Sequence, residues 1–199
     1  MIDYYKKYSI LQILSLIVNT IFNKIFISRK IRIIRFPYSL IGKQLIVFSA
    51  GFSAGKRLRI ECLGDNNKKL FFGKNIKLND DVHIGCIEKI VIEDNVLIGS
   101  KVLIIDHQHG KYTGEDQDSP YSTPDERKLF SKPILIEKNV WIGEMVSVMP
   151  GITIGSGSII GSNSVITKDI PKNSIAVGNP CKVIKKYNDI LHIWEKYND

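Results

Sequence analysis

Cysteine is scarce in this sequence, which has only Cys62, Cys86 and Cys181 among its 199 residues. The three are far apart, odd in number and not part of a C-x-x-C pair, which argues against both a disulfide framework and a zinc site. We therefore expect the protein in a reducing compartment, the cytoplasm. The length suits one domain with a substantial core.

Long uninterrupted apolar runs are also absent. Polar residues break the apolar N-terminus and no small-residue cleavage site follows, which argues against a signal peptide and against a membrane-spanning helix. The apolar residues instead keep helical spacing and predict an amphipathic helix. They are Ile10, Leu11, Ile13, Leu14, Ile17, Val18, Ile21, Phe22, Ile25 and Phe26.

The apolar face of this helix is expected to pack on the rest of the protein. The alternative is peripheral contact of residues 4–35 with the inner face of the cytoplasmic membrane, because basic residues flank the helix. These are Lys6, Lys7, Arg29, Lys30, Arg32 and Arg35.

Acidic residues are fewer than basic ones, and the net charge of +8 indicates an anionic partner. The sequence has no basic tract interleaved with stacking aromatics and no helix-turn-helix or zinc-finger spacing. A nucleic-acid partner is therefore not expected.

An internal repeat dominates what is present. Aliphatic residues recur every six positions at Ile136, Ile142, Val148, Ile154, Ile160 and Ile166, and upstream at Phe72, Leu78 and Ile84 and at Ile92, Ile98 and Ile104. Glycine follows the series in phase, as at Gly143, Gly155 and Gly161, where a tight corner leaves no room for a Cβ atom. This period predicts a mainly β protein, a parallel β-helix with one hexad on each of three sides. The alternative fold, a sandwich of short strands, would not require a strict spacing of six residues.

The repeat is interrupted three times. The spacing from Ile60 to Phe72 leaves room for a turn at "GDNNKK". The motif "GCIEKI" inserts two residues between Ile84 and Ile92, and a long loop, residues 106–131, separates Ile104 from Ile136. Loops of this length in a compact fold are usually functional or disordered. The predicted organisation is a helix and basic connector over 1–40, the β-helix over 41–180, and a cap of strand and helix over 181–199.

Two of the four histidines, His107 and His109, stand at the root of the loop. Histidine titrates near neutrality and is the commonest general base, and Asp106 or a nearby carbonyl group could fix its tautomer. A metal site with His83 as a third ligand is an alternative, although no metal is predicted. A serine nucleophile is not indicated, because no G-x-S-x-G motif occurs.

The motifs "IRIIRFPYSLIGKQ", "DHQHG", "VWIGEMVSVMPGITIG", "SVITKDIP" and "AVGNPCKVIKKY" together resemble the hexapeptide-repeat acyltransferases. The chain is most similar to the O-acetyltransferases of lipopolysaccharide O-antigen, colanic acid and capsule biosynthesis. The resemblance implies a left-handed β-helix, a homotrimer with active sites between subunits, and acetyl transfer from acetyl-CoA to a sugar hydroxyl of a surface polysaccharide. Metal-binding members of this fold class, the γ-type carbonic anhydrases, space their loop histidines more widely.

The resemblance also assigns residues. His107 matches the catalytic base, with Asp106 beside it, and the backbone N–H of Glu144 matches the oxyanion donor. The matches to the CoA groove are Trp141, Gly143, Ser162, Thr167, Lys168, Lys182 and Lys185.

The acceptor side is less specific. Gly85 stands where galactoside and maltose acetyltransferases have an asparagine that holds the sugar, so the acceptor contacts must differ. The candidates are His83, His109, Tyr112, Tyr121 and Arg127. Two other functions stay open, an acetyltransferase of the same fold acting on a small amino-sugar or antibiotic, and a non-enzymatic β-helix assembly subunit.

Overall fold

The computed structural model describes residues 8–197. Residues 1–7 and 198–199, and with them Lys6, Lys7 and the start of the predicted 4–35 contact, lie outside this range. The described residues form one α-helix, α1 (Ile10–Phe26), and a series of short strands. In chain order the strands are β1 (Ile31–Ile34), β2 (Ser39–Ile41), β3 (Ile46–Phe48), β4 (Phe52–Ala54), β5 (Arg59–Cys62), β6 (Leu70–Phe72), β7 (Lys77–Leu78), β8 (His83–Cys86), β9 (Ile90–Ile92), β10 (Leu97–Ile98), β11 (Leu103–Ile105), β12 (His107–His109), β13 (Leu129–Ser131), β14 (Ile134–Ile136), β15 (Trp141–Ile142), β16 (Ser147–Val148), β17 (Thr153–Ile154), β18 (Ile159–Ile160), β19 (Val165–Ile166), β20 (Ser174–Val177), β21 (Lys182–Asn188) and β22 (Ile193–Lys196).

Three parallel sheets form the sides of a prism. Face A contains β1, β4, β7, β10, β15, β18 and β20; face B contains β2, β5, β8, β11, β16 and β19; face C contains β3, β6, β9, β14 and β17. Successive strands along the chain occupy faces A, B and C in turn, so each circuit of the three faces is one coil. The predicted parallel β-helix is confirmed.

The core follows from the hexad register. Each inward aliphatic residue lies above its equivalent in the previous coil, as Ile92, Ile136 and Ile154 do on face C. All three are fully buried. Removing one such side chain down to alanine typically costs about 2–5 kcal/mol, because the neighbouring coils cannot collapse into the gap.

The corners explain the glycines that follow the inward residues. A Cβ atom on Gly99 would lie 2.7 Å from the amide nitrogen of Glu144 in the next coil, and one on Gly73 would lie 2.7 Å from that of Asp94. These positions therefore need glycine because the coils approach closely. The left-handed backbone at the C–A corners falls on asparagines such as Asn75 and Asn95, whose side chains hydrogen-bond to each other at 3.1 Å.

The predicted C-terminal helix is wrong. Residues 182–196 form a β-hairpin, in which β21 pairs antiparallel with the free edge of β20 and β22 pairs with β21. The Asn188 side chain accepts hydrogen bonds from the amides of Ile190 and Leu191, which closes the turn. Tyr187 packs across the hairpin on Trp194, with ring centroids 5.2 Å apart. The exposed sheet edge thus outweighs the helical pattern.

The expected packing of the apolar face of α1 on the protein is also wrong. The helix begins with a capping box between Ser9 and Gln12 and contacts β1 with its polar side, where Asn19 and Asn23 are buried. Its apolar residues face outward, with Ile10 77% and Ile25 68% exposed. Within residues 8–197, no helix has the length and apolar character needed to cross a membrane.

Candidate active site

Asp106 lies where the long loop leaves the coil and hydrogen-bonds to the surrounding backbone. Its side chain is fully buried and takes the inward position at which the chain leaves face B. The carboxylate accepts hydrogen bonds from the backbone N–H groups of Ile87, Glu88 and Lys89 at 2.9–3.1 Å. These amides belong to the "GCIEKI" insertion. The two-residue insertion therefore wraps its backbone around one buried carboxylate.

His107 is bound to the same carboxylate. Its Nδ1 atom lies 2.9 Å from Oδ1 of Asp106. Because that carboxylate already accepts from three amides, it is the acceptor here too, so Nδ1 carries the hydrogen and Nε2 keeps a free lone pair. The imidazole is only 16% exposed. This is the arrangement of a histidine held ready to take a proton.

Two thiols lie beside Asp106 in the interior. Cys62 and Cys86 are fully buried and in register on β5 and β8, below the level of the carboxylate. The hydrogen bond with Cys62 and then burial raise the pKa of Cys86 well above the usual value for a thiol. Cys86 is therefore a neutral neighbour of Asp106.

The imidazole of His107 lies over the bare backbone of Gly85. A Cβ atom at Gly85 would come within 3.1 Å of Cε1 of His107, so any larger residue would press on the ring.

A row of polar and charged side chains continues along the outside of face B. His83 Nε2 lies 3.2 Å from Glu61 Oε2, and Arg59 donates to Oε1 of Glu61 at 2.7 Å. The Arg59 guanidinium holds the pKa of Glu61 below its usual value. His83 was among the candidates predicted from the sequence, whereas Arg59 and Glu61 were not. The signal was present, because Arg59 and His83 each directly precede an inward isoleucine and so share the outer face.

The other acceptor candidates lie on the loop, where some are hydrogen-bonded within it and one is fully exposed. At its root β12 pairs antiparallel with β13, and farther out a 3-10 turn spans Pro124–Glu126. Arg127 donates to the hydroxyl of Tyr112 and to the carbonyl of Ser122, both at 2.7 Å, and the Tyr112 hydroxyl donates to the carbonyl of His109. Tyr112 and Arg127 therefore hold the loop together. Tyr121 is 97% exposed.

The residues assigned to the CoA groove lie along two different edges of the prism. Trp141 precedes the edge between faces A and B, and Gly143, Glu144 and Ser162 lie on it. Thr167 and Lys168 follow β19 at the edge between faces B and C, where they line a cavity of about 310 Å³ with Lys182. Lys185 is exposed on β21.

The edge between faces B and C also carries the histidine. Ile104 on β11, Val148 on β16 and Ile166 on β19 are in register, so Asp106 and Lys168 occupy equivalent corners two coils apart. Neighbouring parallel strands are about 4.8 Å apart, which gives a separation of about 10 Å along the prism. His107 and the cavity near Lys168 therefore share one edge.

The amide of Glu144 has a partner in this structure. It donates to Oγ of Ser162 at 3.1 Å, and the Glu144 side chain is exposed. Within residues 8–197, no group of three or more His, Cys, Asp and Glu side chains is arranged as a metal site. His83 is paired with Glu61 instead.

Comparison with known proteins identifies the family. Residues 133–168 match the family described as bacterial transferase hexapeptide (six repeats). Over 192 residues, 96% of each chain, the sequence is 40% identical to the Escherichia coli K12 protein named "Putative lipopolysaccharide biosynthesis O-acetyl transferase WbbJ". The chain belongs to the hexapeptide-repeat acyltransferases. It is an acetyltransferase of that family.

Solved structures of hexapeptide-repeat acetyltransferases carry the same fold. The Vibrio cholerae acetyltransferase VCA0836, complexed with acetyl coenzyme A, aligns with a TM-score of 0.55 and 29% identity over 65% of this chain and 66% of that one. A galactoside acetyltransferase in complex with coenzyme A aligns with a TM-score of 0.50 and 37% identity, over 60% of this chain and 56% of that one. Both alignments cover only part of each chain.

Proposed function

We propose that this acetyltransferase transfers the acetyl group of acetyl-CoA to a sugar hydroxyl during assembly of a bacterial surface polysaccharide, with His107 as general base. One observation carries the proposal. The only long interruption of the repeat in the described residues holds a histidine whose Nδ1 is fixed by a buried carboxylate and whose Nε2 keeps its lone pair.

In the proposed reaction, Nε2 of His107 takes the proton of the acceptor hydroxyl as its oxygen attacks the acetyl carbonyl carbon. The tetrahedral intermediate collapses with cleavage of the carbon–sulfur bond. The imidazolium of His107 returns its proton to the departing CoA thiolate, so the base is regenerated. Asp106 keeps the ring in the correct tautomer and favours the imidazolium while it exists.

The amide of Glu144 is the proposed oxyanion donor. In this structure it donates to Ser162, so an oxyanion must replace the serine hydroxyl as its acceptor. A carbonyl oxygen that gains negative charge is a stronger acceptor than a neutral hydroxyl. The exchange therefore favours the transition state over the ground state, as catalysis requires.

Gly99→Ala is expected to disturb this donor. The new Cβ atom would lie 2.7 Å from the Glu144 nitrogen, so the amide must shift, and we expect kcat to fall about tenfold and stability by about 1–3 kcal/mol. Gly73→Ala is the matched control, because it makes the same 2.7 Å clash with Asp94 two coils below Glu144. Urea unfolding should show the same destabilisation in both variants. Steady-state kinetics should show a lower kcat in Gly99→Ala and an unchanged kcat in Gly73→Ala. Equal loss of kcat in both variants would contradict the role of the Glu144 amide.

The residues proposed to hold acetyl-CoA suit its chemistry. Lys168 and Lys182 bring two ammonium groups to one cavity, and flexible cationic side chains suit phosphate groups. The exposed indole of Trp141 and the backbone corner at Gly143 lie on the other edge. The complexes of related acetyltransferases with acetyl-CoA and CoA support this assignment.

The division of the residues between two edges supports a homotrimer with shared sites. Within one chain, face B separates His107 from the amide of Glu144. A neighbouring subunit that places its A–B edge beside the B–C edge of the first would bring both groups to one groove. Closed cyclic oligomers are common among soluble proteins.

The proposed acceptor site lies beside His107 on face B. His83, Glu61 and Arg59 offer donors and acceptors for sugar hydroxyls, and His109 and Tyr121 are exposed on the loop. The name of the Escherichia coli relative supports lipopolysaccharide as the acceptor class. A glycan or lipid-linked sugar with several hydroxyls fits such a polar surface.

The experiment measures release of the free CoA thiol from acetyl-CoA with a panel of nucleotide-linked and lipid-linked sugars as acceptors. We expect thiol release that depends on a sugar acceptor, and mass spectrometry should find an acetyl ester on the product. Isothermal calorimetry of CoA binding accompanies the assay. A protein that shows no CoA binding and no turnover would contradict the proposal. Turnover with amine acceptors alone would contradict a hydroxyl acceptor.

A further inference from the structure

The outer half of α1 is an apolar surface with no covering element in the described residues. Nine large apolar side chains on this helix are between 39% and 78% exposed. They are Ile10, Leu11, Leu14, Ile17, Val18, Ile21, Phe22, Ile25 and Phe26. They extend along the whole helix on the side opposite β1. We refer to these nine residues as the outer face of α1.

Hydrogen bonds fix the helix in this orientation. Asn23 is fully buried and donates to the carbonyl of Ile34 at 2.8 Å, while it accepts from the hydroxyl of Tyr38 at 3.0 Å. The amide of Phe36 donates to Asn19 at 2.6 Å. Rolling the helix to bury its apolar side would break these bonds and leave buried polar groups without partners. The outer face is therefore a stable feature of the fold.

The charge around the helix is of one sign. The sequence has no aspartate or glutamate between residues 4 and 60, whereas Asp and Glu nearly balance Lys and Arg from residue 61 to 197. The cations between residues 8 and 60 are Lys24, Arg29, Lys30, Arg32, Lys43, Arg35, Lys56, Arg57 and Arg59. The net positive charge of the chain is thus concentrated at the end of the prism that carries α1.

These cations flank both long sides of the helix. On one side, Lys24, Arg29, Lys30 and Arg32 line a surface cavity that also touches Leu16 and Thr20 of α1. On the other side, a second cavity next to Gln12 and Asn19 is lined by Arg35 and Lys56. An apolar surface with cations on both sides, four on one and two on the other, matches the boundary of an anionic bilayer, where acyl chains lie beneath negative headgroups.

We propose that the outer face of α1 binds an anionic lipid bilayer, with the helix lying parallel to the membrane plane. The apolar side chains enter the acyl boundary and the flanking cations contact the headgroups. A helix of this length extends about 26 Å, which suits a helix lying in the interface. A second copy of the chain fits less well, because two such faces would bring like charges together.

The binding experiment needs no acetyl-CoA, so its outcome is independent of the proposed function. The protein is sedimented with vesicles of phosphatidylcholine alone and with vesicles that also contain phosphatidylglycerol. We expect sedimentation with the anionic vesicles at low salt, weakening as the ionic strength rises. Failure of the wild-type protein to bind the anionic vesicles overturns the proposal.

A triple variant, Ile17→Gln with Ile21→Gln and Ile25→Gln, tests the face itself. All three side chains are exposed, so the fold should persist, and we expect the partition coefficient to fall at least about tenfold. The variant Lys24→Gln with Arg29→Gln and Lys30→Gln should weaken binding to anionic vesicles to a similar extent.

The matched control removes exposed apolar residues elsewhere. Ile190→Gln with Leu191→Gln changes side chains that are 89% and 57% exposed on the turn of the C-terminal hairpin. Its vesicle binding should equal that of the wild type, and thermal unfolding checks all the variants. Equal binding by the Ile17, Ile21 and Ile25 triple variant overturns the proposal. The proposal is also overturned if the wild-type protein is an oligomer that does not bind vesicles, and if this oligomer dissociates in the triple variant. A second copy of the chain then covers the outer face of α1.

Discussion

His107→Ala is expected to lower kcat for acceptor-dependent acetyl transfer by about 10²- to 10⁴-fold. The variant removes the group that accepts the hydroxyl proton, and no other histidine among residues 8–197 is hydrogen-bonded to Asp106. The KM for acetyl-CoA should change little, because the proposed CoA contacts at Lys168 and Lys182 lie about 10 Å from this corner along the same edge. Thiol release at saturating acetyl-CoA measures the effect.

Gln108→Ala is the control for this variant. Gln108 follows His107 on β12, and its side chain donates to the carbonyl of Gly110 without touching Asp106. A loss of activity caused by disruption of the β12–β13 ribbon would appear in both variants. Full activity in His107→Ala would exclude the histidine as the base and leave the binding surfaces as the main contribution to catalysis.

The solenoid could be predicted from the sequence because its geometry is periodic. Each inward position of a coil repeats after six residues, so residues such as Ile142 and Ile160 reveal the architecture without any tertiary information. The position of His107 was predictable for the same reason, since a break in a strict repeat is visible in the sequence. The corner glycines were also predictable, because they recur in phase with the inward residues.

Other features depended on contacts that the sequence does not display. The C-terminal segment has a helical pattern, but β20 offers an unpaired edge, and pairing with that edge determines the outcome. The orientation of α1 depends on two asparagines that find backbone partners, so the polar side of the helix is buried. In both cases, backbone hydrogen bonding outweighed the distribution of apolar residues.

The role of Asp106 could be predicted only in part. The sequence placed it next to His107, but a carbonyl group was an equal candidate for fixing the tautomer. Only the structure shows that the "GCIEKI" insertion delivers three amides to the same carboxylate. The insertion is therefore coupled to the long loop, because its backbone amides hold Asp106, the residue that orients His107 at the root of the loop.

Asp106→Asn is expected to lower both stability and activity. An amide side chain has only one acceptor oxygen. At the position of Oδ1 it keeps the bonds to the Ile87 amide and to Nδ1 of His107 but loses those to Glu88 and Lys89, and at the position of Oδ2 it keeps the insertion amides but loses Nδ1. Its NH₂ group must then face a donor in a fully buried position. We expect the free energy of unfolding to fall by about 2–5 kcal/mol and kcat by about 10²-fold. Urea unfolding and thiol release measure the two effects.

Asp80→Asn is the matched control, because Oδ1 of Asp80 accepts one backbone hydrogen bond, from Lys56 at 2.8 Å, at a partly exposed corner. Asparagine can keep that bond, so the loss should stay below about 1 kcal/mol. His107→Ala separates the two functions of Asp106, since it removes the base and leaves the three amide bonds intact. Its unfolding free energy should therefore stay closer to that of the wild type. Asp106→Asn with wild-type stability would show that the carboxylate does not hold the insertion in place.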